Sequence, residues 1–160
     1  MAGFEIRRAR PGDEHVIHAL LHELAEYEKL MHVFHVTPEV IRRDYLCEAP
    51  LLNCDLLLDG GEPAGLATWY WIYSSFVAKR AIYLEDLFLR PAFRGRGHGK
   101  ALLAHLAKTA VEAGAARVDW AVLDWNKPSI DFYESLGAKP NAGWYVYRLE
   151  GEALAKLGGT

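Results

Sequence analysis

Three glycines at alternate positions, in Arg94-Gly95-Arg96-Gly97-His98-Gly99-Lys100, stand between an apolar run, Ile82 to Leu89, and a helical pattern that begins at Ala101. Removing every other Cβ lets the backbone curl tightly and bring several N–H groups close to a ligand. The first turn of the following helix adds its own unpaired N–H groups and the positive end of its dipole. With Arg94, Arg96 and Lys100 around it, the segment is built to hold an anion such as a phosphate or pyrophosphate. Spacing narrows the choice. A dinucleotide fingerprint needs G-x-G-x-x-G, but the sixth position is Lys100 counted from Gly95 and Leu102 counted from Gly97. A P-loop needs glycine where Arg94 stands and Ser or Thr where Ala101 stands. The pattern that fits is R-x-x-G-x-G, carried by Arg94, Gly97 and Gly99.

The rest of the chain supplies one α/β domain around this loop, spanning 1–160. A hydrophobic fraction of 51% with 24% charged residues is the balance of a chain that buries a core. Phe4 to Arg8 alternates as a first strand, and Arg10-Pro11-Gly12-Asp13 turns into a helix whose Val16, Ile17, Leu20, Leu21, Leu24 and Tyr27 share one face. His15, His18 and His22 lie on the opposite face, where a solvated surface explains them and no metal is expected. Thr37-Pro38-Glu39 starts a second helix that runs to about Glu48-Ala49-Pro50. Leu51 to Leu58 and Ala64 to Trp71 read as a hairpin turning through Asp59-Gly60-Gly61-Glu62-Pro63. Tyr70, Trp71, Tyr73 and Phe76 form an aromatic cluster, fit for a subunit interface or a wall for a substrate's methylenes. Ile82 to Leu89 is the central strand, Ala101 to Ala113 a helix stopped by Gly114, and Arg117 to Leu123 a strand parallel to it by a βαβ crossover. A short helix follows from Asp124-Trp125-Asn126-Lys127-Pro128 to Leu136, and Trp144 to Leu149 reads as a last strand before a polar tail. Glu85 and Asp86 sit inside the central strand. By simple alternation they point to opposite faces, so at least one needs a reason to be there.

Three separated motifs, in order, resemble one family. The glycine loop is similar to the acyl-CoA pyrophosphate loop of the GNAT N-acetyltransferase superfamily. Tyr83-Leu84-Glu85-Asp86-Leu87-Phe88-Leu89 before it and Trp125-Asn126-Lys127-Pro128-Ser129-Ile130-Asp131-Phe132-Tyr133 after it resemble the diamine (spermidine/spermine) and thialysine acetyltransferase branch, as do Glu23-Leu24-Ala25 and Tyr27-Glu28. The resemblance implies a GNAT fold: a mixed central sheet flanked by helices, with acetyl-CoA bound between two splayed parallel strands. It further implies that the cofactor meets Leu87, Phe88 and Leu89, the loop residues Arg94, Gly95, Arg96, Gly97, His98, Gly99 and Lys100, and Asn126, Pro128 and Ser129. Tyr27, Glu28, Glu85, Asp119, Trp120 and Ala121 are implied at the amine, with Glu85 as proton acceptor and Tyr133 as proton donor to the leaving sulfur.

A phenol suits that last role because it is protonated at neutral pH. No Cys or Ser elbow is present, so direct attack in a ternary complex is expected. One departure matters. Where the polyamine enzymes carry further acids before the Gly-Trp matched by Gly143-Trp144, this chain has Pro140-Asn141-Ala142, which favours short diamines or thialysine-like amino acids over long polycations. The alternatives are a protein lysine or N-terminal acetyltransferase, and a non-catalytic acyl-CoA-binding module. The net charge of −3 argues against a nucleic-acid partner, no apolar run approaches the roughly 18 residues of a membrane helix, and Met1-Ala2-Gly3-Phe4-Glu5 has no signal-peptide pattern. Cys47 and Cys54 have no disulfide or metal spacing, so a cytoplasmic protein is expected, assembled as a homodimer as in the resembled family.

Overall fold

The computed structural model describes residues 3–159; Met1 and Ala2, on which part of the signal-peptide reading falls, and Thr160 lie outside them. The chain forms two compact units, residues 1–125 and 126–160. In the first, β1 (Phe4–Arg8), β2 (Asn53–Asp59), β3 (Glu62–Ser74), β4 (Lys79–Leu89) and β5 (Val118–Trp120) make a sheet in the order β1-β2-β3-β4-β5. Successive strands are antiparallel except β4 and β5, which are parallel because α3 (His98–Glu112) carries the chain back between them.

The two faces of this sheet are covered by different helices. On one, Ile17, Leu20, Leu21 and Leu24 of α1 (Glu14–Tyr27) and Ile41 of α2 (Pro38–Asp44) pack on Cys54, Leu56, Leu66 and Phe88. On the other, Leu102, Leu106 and Ala110 of α3 pack on Leu57, Ala67, Trp69, Ile82 and Leu84. Each large aliphatic side chain so buried contributes about 1.5–3 kcal/mol relative to exposure. α2 starts where its cap predicts, with the Thr37 hydroxyl accepting from the Val40 N–H at 3.2 Å. It stops at Asp44, earlier than expected. The Leu46 N–H reaches back five residues to the Ile41 carbonyl, and the Leu51 N–H takes the Asp44 carbonyl at 2.9 Å, so the returning chain satisfies the helix end.

β4 contains a bulge. Thr68 pairs with Asp86 but Trp69 pairs with Leu84, which leaves Glu85 as the extra residue. The alternation is reset there: Ile82 and Leu84 belong to the α3 face, whereas Phe88, an even step of four positions beyond Leu84, belongs to the α1 face. The strand expected at Arg117–Leu123 pairs over Val118–Trp120 alone, opposite Ile82, Tyr83 and Leu84, so β4 runs on from Glu85 to Leu89 beyond its parallel partner. The aromatic cluster divides: Trp71 meets Trp69 edge-on at 5.2 Å with Arg80 over its ring, while Tyr73 and Phe76 are exposed.

In the second unit, α4 (Lys127–Ser135) is capped by the Asn126 side chain, which accepts from the Ser129 N–H, and is followed by Gly137 at φ +90°. The strand expected at Trp144–Leu149 does not form. Its side chains are exposed, and among the described residues no strand pairs with it; a strand needs a partner for its backbone groups. The expected polar tail instead carries α5 (Gly151–Leu157).

Gly65 fixes how closely β3 approaches β4. A Cβ there would lie 2.3 Å from the Phe88 carbonyl oxygen and 2.5 Å from the Leu89 side chain. Gly65→Ala is therefore expected to lower stability by about 1–3 kcal/mol, read as a shift in the denaturant midpoint.

Candidate active site

The glycine loop leaves β4 through Arg90 and a single 3-10 turn, Pro91–Phe93. Gly95 (φ +75°) and Gly97 (φ +83°) both adopt left-handed backbone, and α3 begins immediately after, at His98, three residues before the expected start. Among the described residues no side chain caps that helix, so its first-turn N–H groups are open to water or a ligand. Nothing lies within 4 Å of where a Cβ would stand on Gly95 or Gly97, so the loop is open to an approaching group. Arg94 folds back, its Nε donating to the Leu89 carbonyl at 2.9 Å and its guanidinium lying 5.4 Å over the Tyr27 ring. Tyr27 thus stands beside the anion loop. Arg96 Nη1 donates to Asp59 at 3.1 Å, and Lys100 is exposed.

On the α1 face a cavity of about 590 Å³ opens between helix and sheet. Leu21, Leu24, Val33, Phe34, Val36 and Leu52 give it an apolar wall; Glu28, Glu85 and Asp86 give it three carboxylates, with Tyr45 and Tyr70 alongside. None of the described residues lining it is basic. The bulge explains why both acids of β4 reach it. The expectation that Glu85 and Asp86 point to opposite faces fails, because the extra residue breaks the alternation between them.

Burial and like charge act together on the groups here. Asp86 is half-buried by surface, since the cavity reaches it, but its carboxyl is enclosed closely enough that desolvation is the main cause of its pKa rising from 3.8 to about 6. The nearby Glu85 and Glu28 push the same way, and the Thr68 hydroxyl, donating to Oδ2 at 2.5 Å, pulls against them. Desolvation also raises Glu28, while Tyr45 is pushed up to about 12 by burial and then by Asp86. Tyr70 rises through burial and then Glu85. Each of these shifts favours the protonated form, as expected of a cavity with an excess of negative charge and no cation to balance it.

The other candidates belong to several elements of the two units. Phe88 is buried on the α1 face, and Leu87 and Leu89 pack on the α3 side. Asp119 sits opposite Tyr83 in the parallel register and pairs with Arg117 at 2.8 Å; Trp120 packs against the α3 core and Ala121 is exposed past the end of β5. These three do not line the cavity. Asn126, Pro128 and Ser129 form the first turn of α4 in the second unit, and Tyr133 lies farther along that helix with its ring 5.5 Å from Phe132. Asp86 is the residue that alternation misplaced. Its signal was the pair of adjacent acids, and what was missing was the bulge. Among the described residues, no three His, Cys, Asp or Glu side chains come together to hold a metal, and no helix is long and apolar enough to cross a membrane.

With a parallel strand pair, a glycine loop opening α3 and an acidic cavity beside them established, comparison with known proteins decides the family. The model of the acetyltransferase (GNAT) family matches residues 17–138. The chain belongs to that family. It is 39% identical over 170 residues to thialysine N-epsilon-acetyltransferase of Sus scrofa, covering 99% of both chains. To an L-ornithine N5-acetyltransferase of Arabidopsis thaliana it is 31% identical over 197 residues, covering 95% of this chain and 86% of the other. An integron cassette protein from the mobile metagenome of V. cholerae superposes with a TM-score of 0.78 at 25% identity, over 100% of this chain and 99% of that one. The mixed sheet with flanking helices is the expected GNAT fold, and the protein is an acetyl-CoA-dependent amine N-acetyltransferase.

Because native Asp86 holds its proton up to about pH 6 while the unfolded carboxyl releases it near 3.8, the folded state binds more protons between those values. Its contribution to stability therefore falls as pH rises through that window. Asp86→Asn, which keeps an oxygen for the Thr68 hydroxyl, should flatten this limb of a stability–pH curve measured by urea unfolding.

Proposed function

We propose that this acetyltransferase acts on a small primary amine, a diamine or thialysine-like compound, bound with ammonium charge against Glu28, Glu85 and Asp86 and methylenes along the apolar wall. The observation that carries this reading is the unbalanced negative charge of the cavity. A cation entering it returns every one of those shifted groups toward its ionised form. Two relatives named for ornithine and thialysine, compounds with a side-chain amine, support the same size and charge. The family match at residues 17–138 runs across the boundary between the two units, which supports one catalytic domain over 1–160.

Acetyl-CoA supplies the acetyl group as a thioester, which the neutral amine nitrogen attacks directly. The chain's residues do the rest. The Arg94–Lys100 loop and the uncapped start of α3 hold the pyrophosphate, the backbone of Leu87, Phe88 and Leu89 lies along the pantetheine, and Asn126, Pro128 and Ser129 complete the contact. An alkylammonium must lose a proton before it can attack. Glu85, exposed at the bulge, accepts that proton, and Asp86 next to it, with a pKa raised to about 6, is ionised at neutral pH and holds the ammonium until the proton leaves. The Tyr133 phenol returns a proton to the sulfur. Asp119, Trp120 and Ala121, at the end of β5, flank the amine, and Tyr27 closes the site at the loop.

The exposed run Trp144, Tyr145, Val146 and Tyr147 supports a homodimer in which a second copy covers it. The free thiols Cys47 and Cys54 accord with a reducing cytoplasm, and the acidic balance with the absence of a nucleic-acid partner.

Thiol release from acetyl-CoA at pH 8 across putrescine, cadaverine, spermidine, thialysine, ornithine, lysine and a basic peptide tests the reading. A small amine should be preferred to the peptide by at least about 100-fold in kcat/KM; turnover of the peptide alone would contradict it. Tyr133→Phe and Glu85→Gln should each lower kcat roughly 100-fold or more. Glu28→Gln should mainly raise the KM of the amine, by about tenfold for one lost ionic contact.

A further inference from the structure

The loop that receives the cofactor is tied to the far end of β2 by one carboxylate. Asp59, the last residue of β2, accepts from His98 Nε2 at 2.8 Å and from Arg96 Nη1 at 3.1 Å, both on Oδ2. Those two residues bracket Gly97, whose left-handed backbone turns the chain into α3.

His98 is an unexpected side chain for its surroundings. It is 5% exposed, its ring meets Phe4 edge-on at 5.0 Å, and its Nδ1 is buried with no hydrogen-bond partner among the described residues. An aliphatic side chain would fill the same space without stranding a polar atom. The bond to Asp59 is what an imidazole adds there. Asp59 is itself held in place: it pairs with Phe4 on β1 and with Glu62 across the hairpin turn through Gly60 and Gly61. The carboxylate is lowered from its ordinary pKa, first by His98 and then by Arg96, as a charge engaged by both would be. The exposed arginine pair alone contributes little, whereas the buried imidazole contact is shielded from water.

We propose that Asp59 is a positioning residue for the acyl-CoA loop, clamping Arg96 and His98 on either side of Gly97 so that the turn is already formed when the cofactor arrives. The proposal rests on the assignment of that loop to acyl-CoA. Without the clamp a segment containing Gly95, Gly97 and Gly99 samples many backbone states, and binding must order it. The loss falls on cofactor affinity, not on chemistry once the cofactor is bound.

The test measures the Kd of acetyl-CoA by calorimetry, the KM of each substrate and kcat, for Asp59→Ala, Asp59→Asn and His98→Ala. Asp59→Ala should weaken acetyl-CoA about tenfold in Kd and KM, with kcat at saturation and the amine KM within about twofold. Asp59→Asn, whose amide oxygen still accepts from His98, should fall between it and the parent protein. Asp59→Ala and His98→Ala combined should be no weaker than the worse single variant. An unchanged Kd in Asp59→Ala, or a fall in kcat at unchanged Kd, overturns the proposal; if that variant does not fold, an unchanged Kd in Asp59→Asn at lowered melting temperature does so equally. Gly97→Ala separates the two levels. If it too leaves Kd unchanged, the loop's assignment to acyl-CoA fails, whereas a weakened Gly97→Ala beside unaffected Asp59 variants removes the clamp alone.

Discussion

One extra residue in β4 decides where the carboxylates of this acetyltransferase lie. With regular alternation, Glu85 and Asp86 would divide between the faces of the sheet, and one carboxylate would lie under α3 among Leu102 and Leu106. The bulge opposite Thr68 and Trp69 places both on the α1 face, at a cavity that Glu28 enters from the end of α1. It also lets the same strand pack Ile82 and Leu84 against α3 and Phe88 against α1, so one irregularity serves both the core and the site.

The acidic cavity and the glycine loop are joined by the strand between them. β4 carries the carboxylates at Glu85 and Asp86, passes its parallel partner at Leu84, and delivers the chain at Leu89 to the turn that opens α3. Gly65 allows β3 to press against this stretch, and Arg90 ties its end to α1 through Glu23, at 2.8 Å, and to the Pro63 carbonyl. A rigid strand thus sets the spacing between the acidic cavity and the glycine loop. Sites of this kind are more precise when carried on such elements than on free loops.

Much of this was legible because it is local. The apolar face of α1 from Ile17 to Leu24, the Thr37 cap, the glycine-rich hairpin turn and the loop before α3 each follow from residues a few positions apart and stand where their patterns predict, with shifts of a few residues at the ends, whereas Tyr27, expected on the same face of α1, is exposed at the helix end. The failures are nonlocal. Period-two alternation cannot show a bulge, which depends on the partner strand's register. Trp144–Leu149 is aromatic and β-branched like a strand, but composition supplies no partner. α5 forms in a stretch whose polarity alone suggests a tail, because Glu152, Ala153, Leu154, Ala155, Lys156 and Leu157 are all good helix formers. At the site, sequence order marked Glu85, and burial distinguishes Asp86 beside it.

The carboxylates of the cavity are the proposed seat of a cationic substrate. The most direct measurement is the carboxyl 13C titration of Asp86, made with and without a saturating small diamine and without acetyl-CoA. The account predicts a midpoint near 6 in the free protein that falls when the diamine binds, because an ammonium beside the carboxylate stabilises its charged form. A midpoint that stays put while the same diamine is bound and acetylated would place the amine elsewhere and contradict the account.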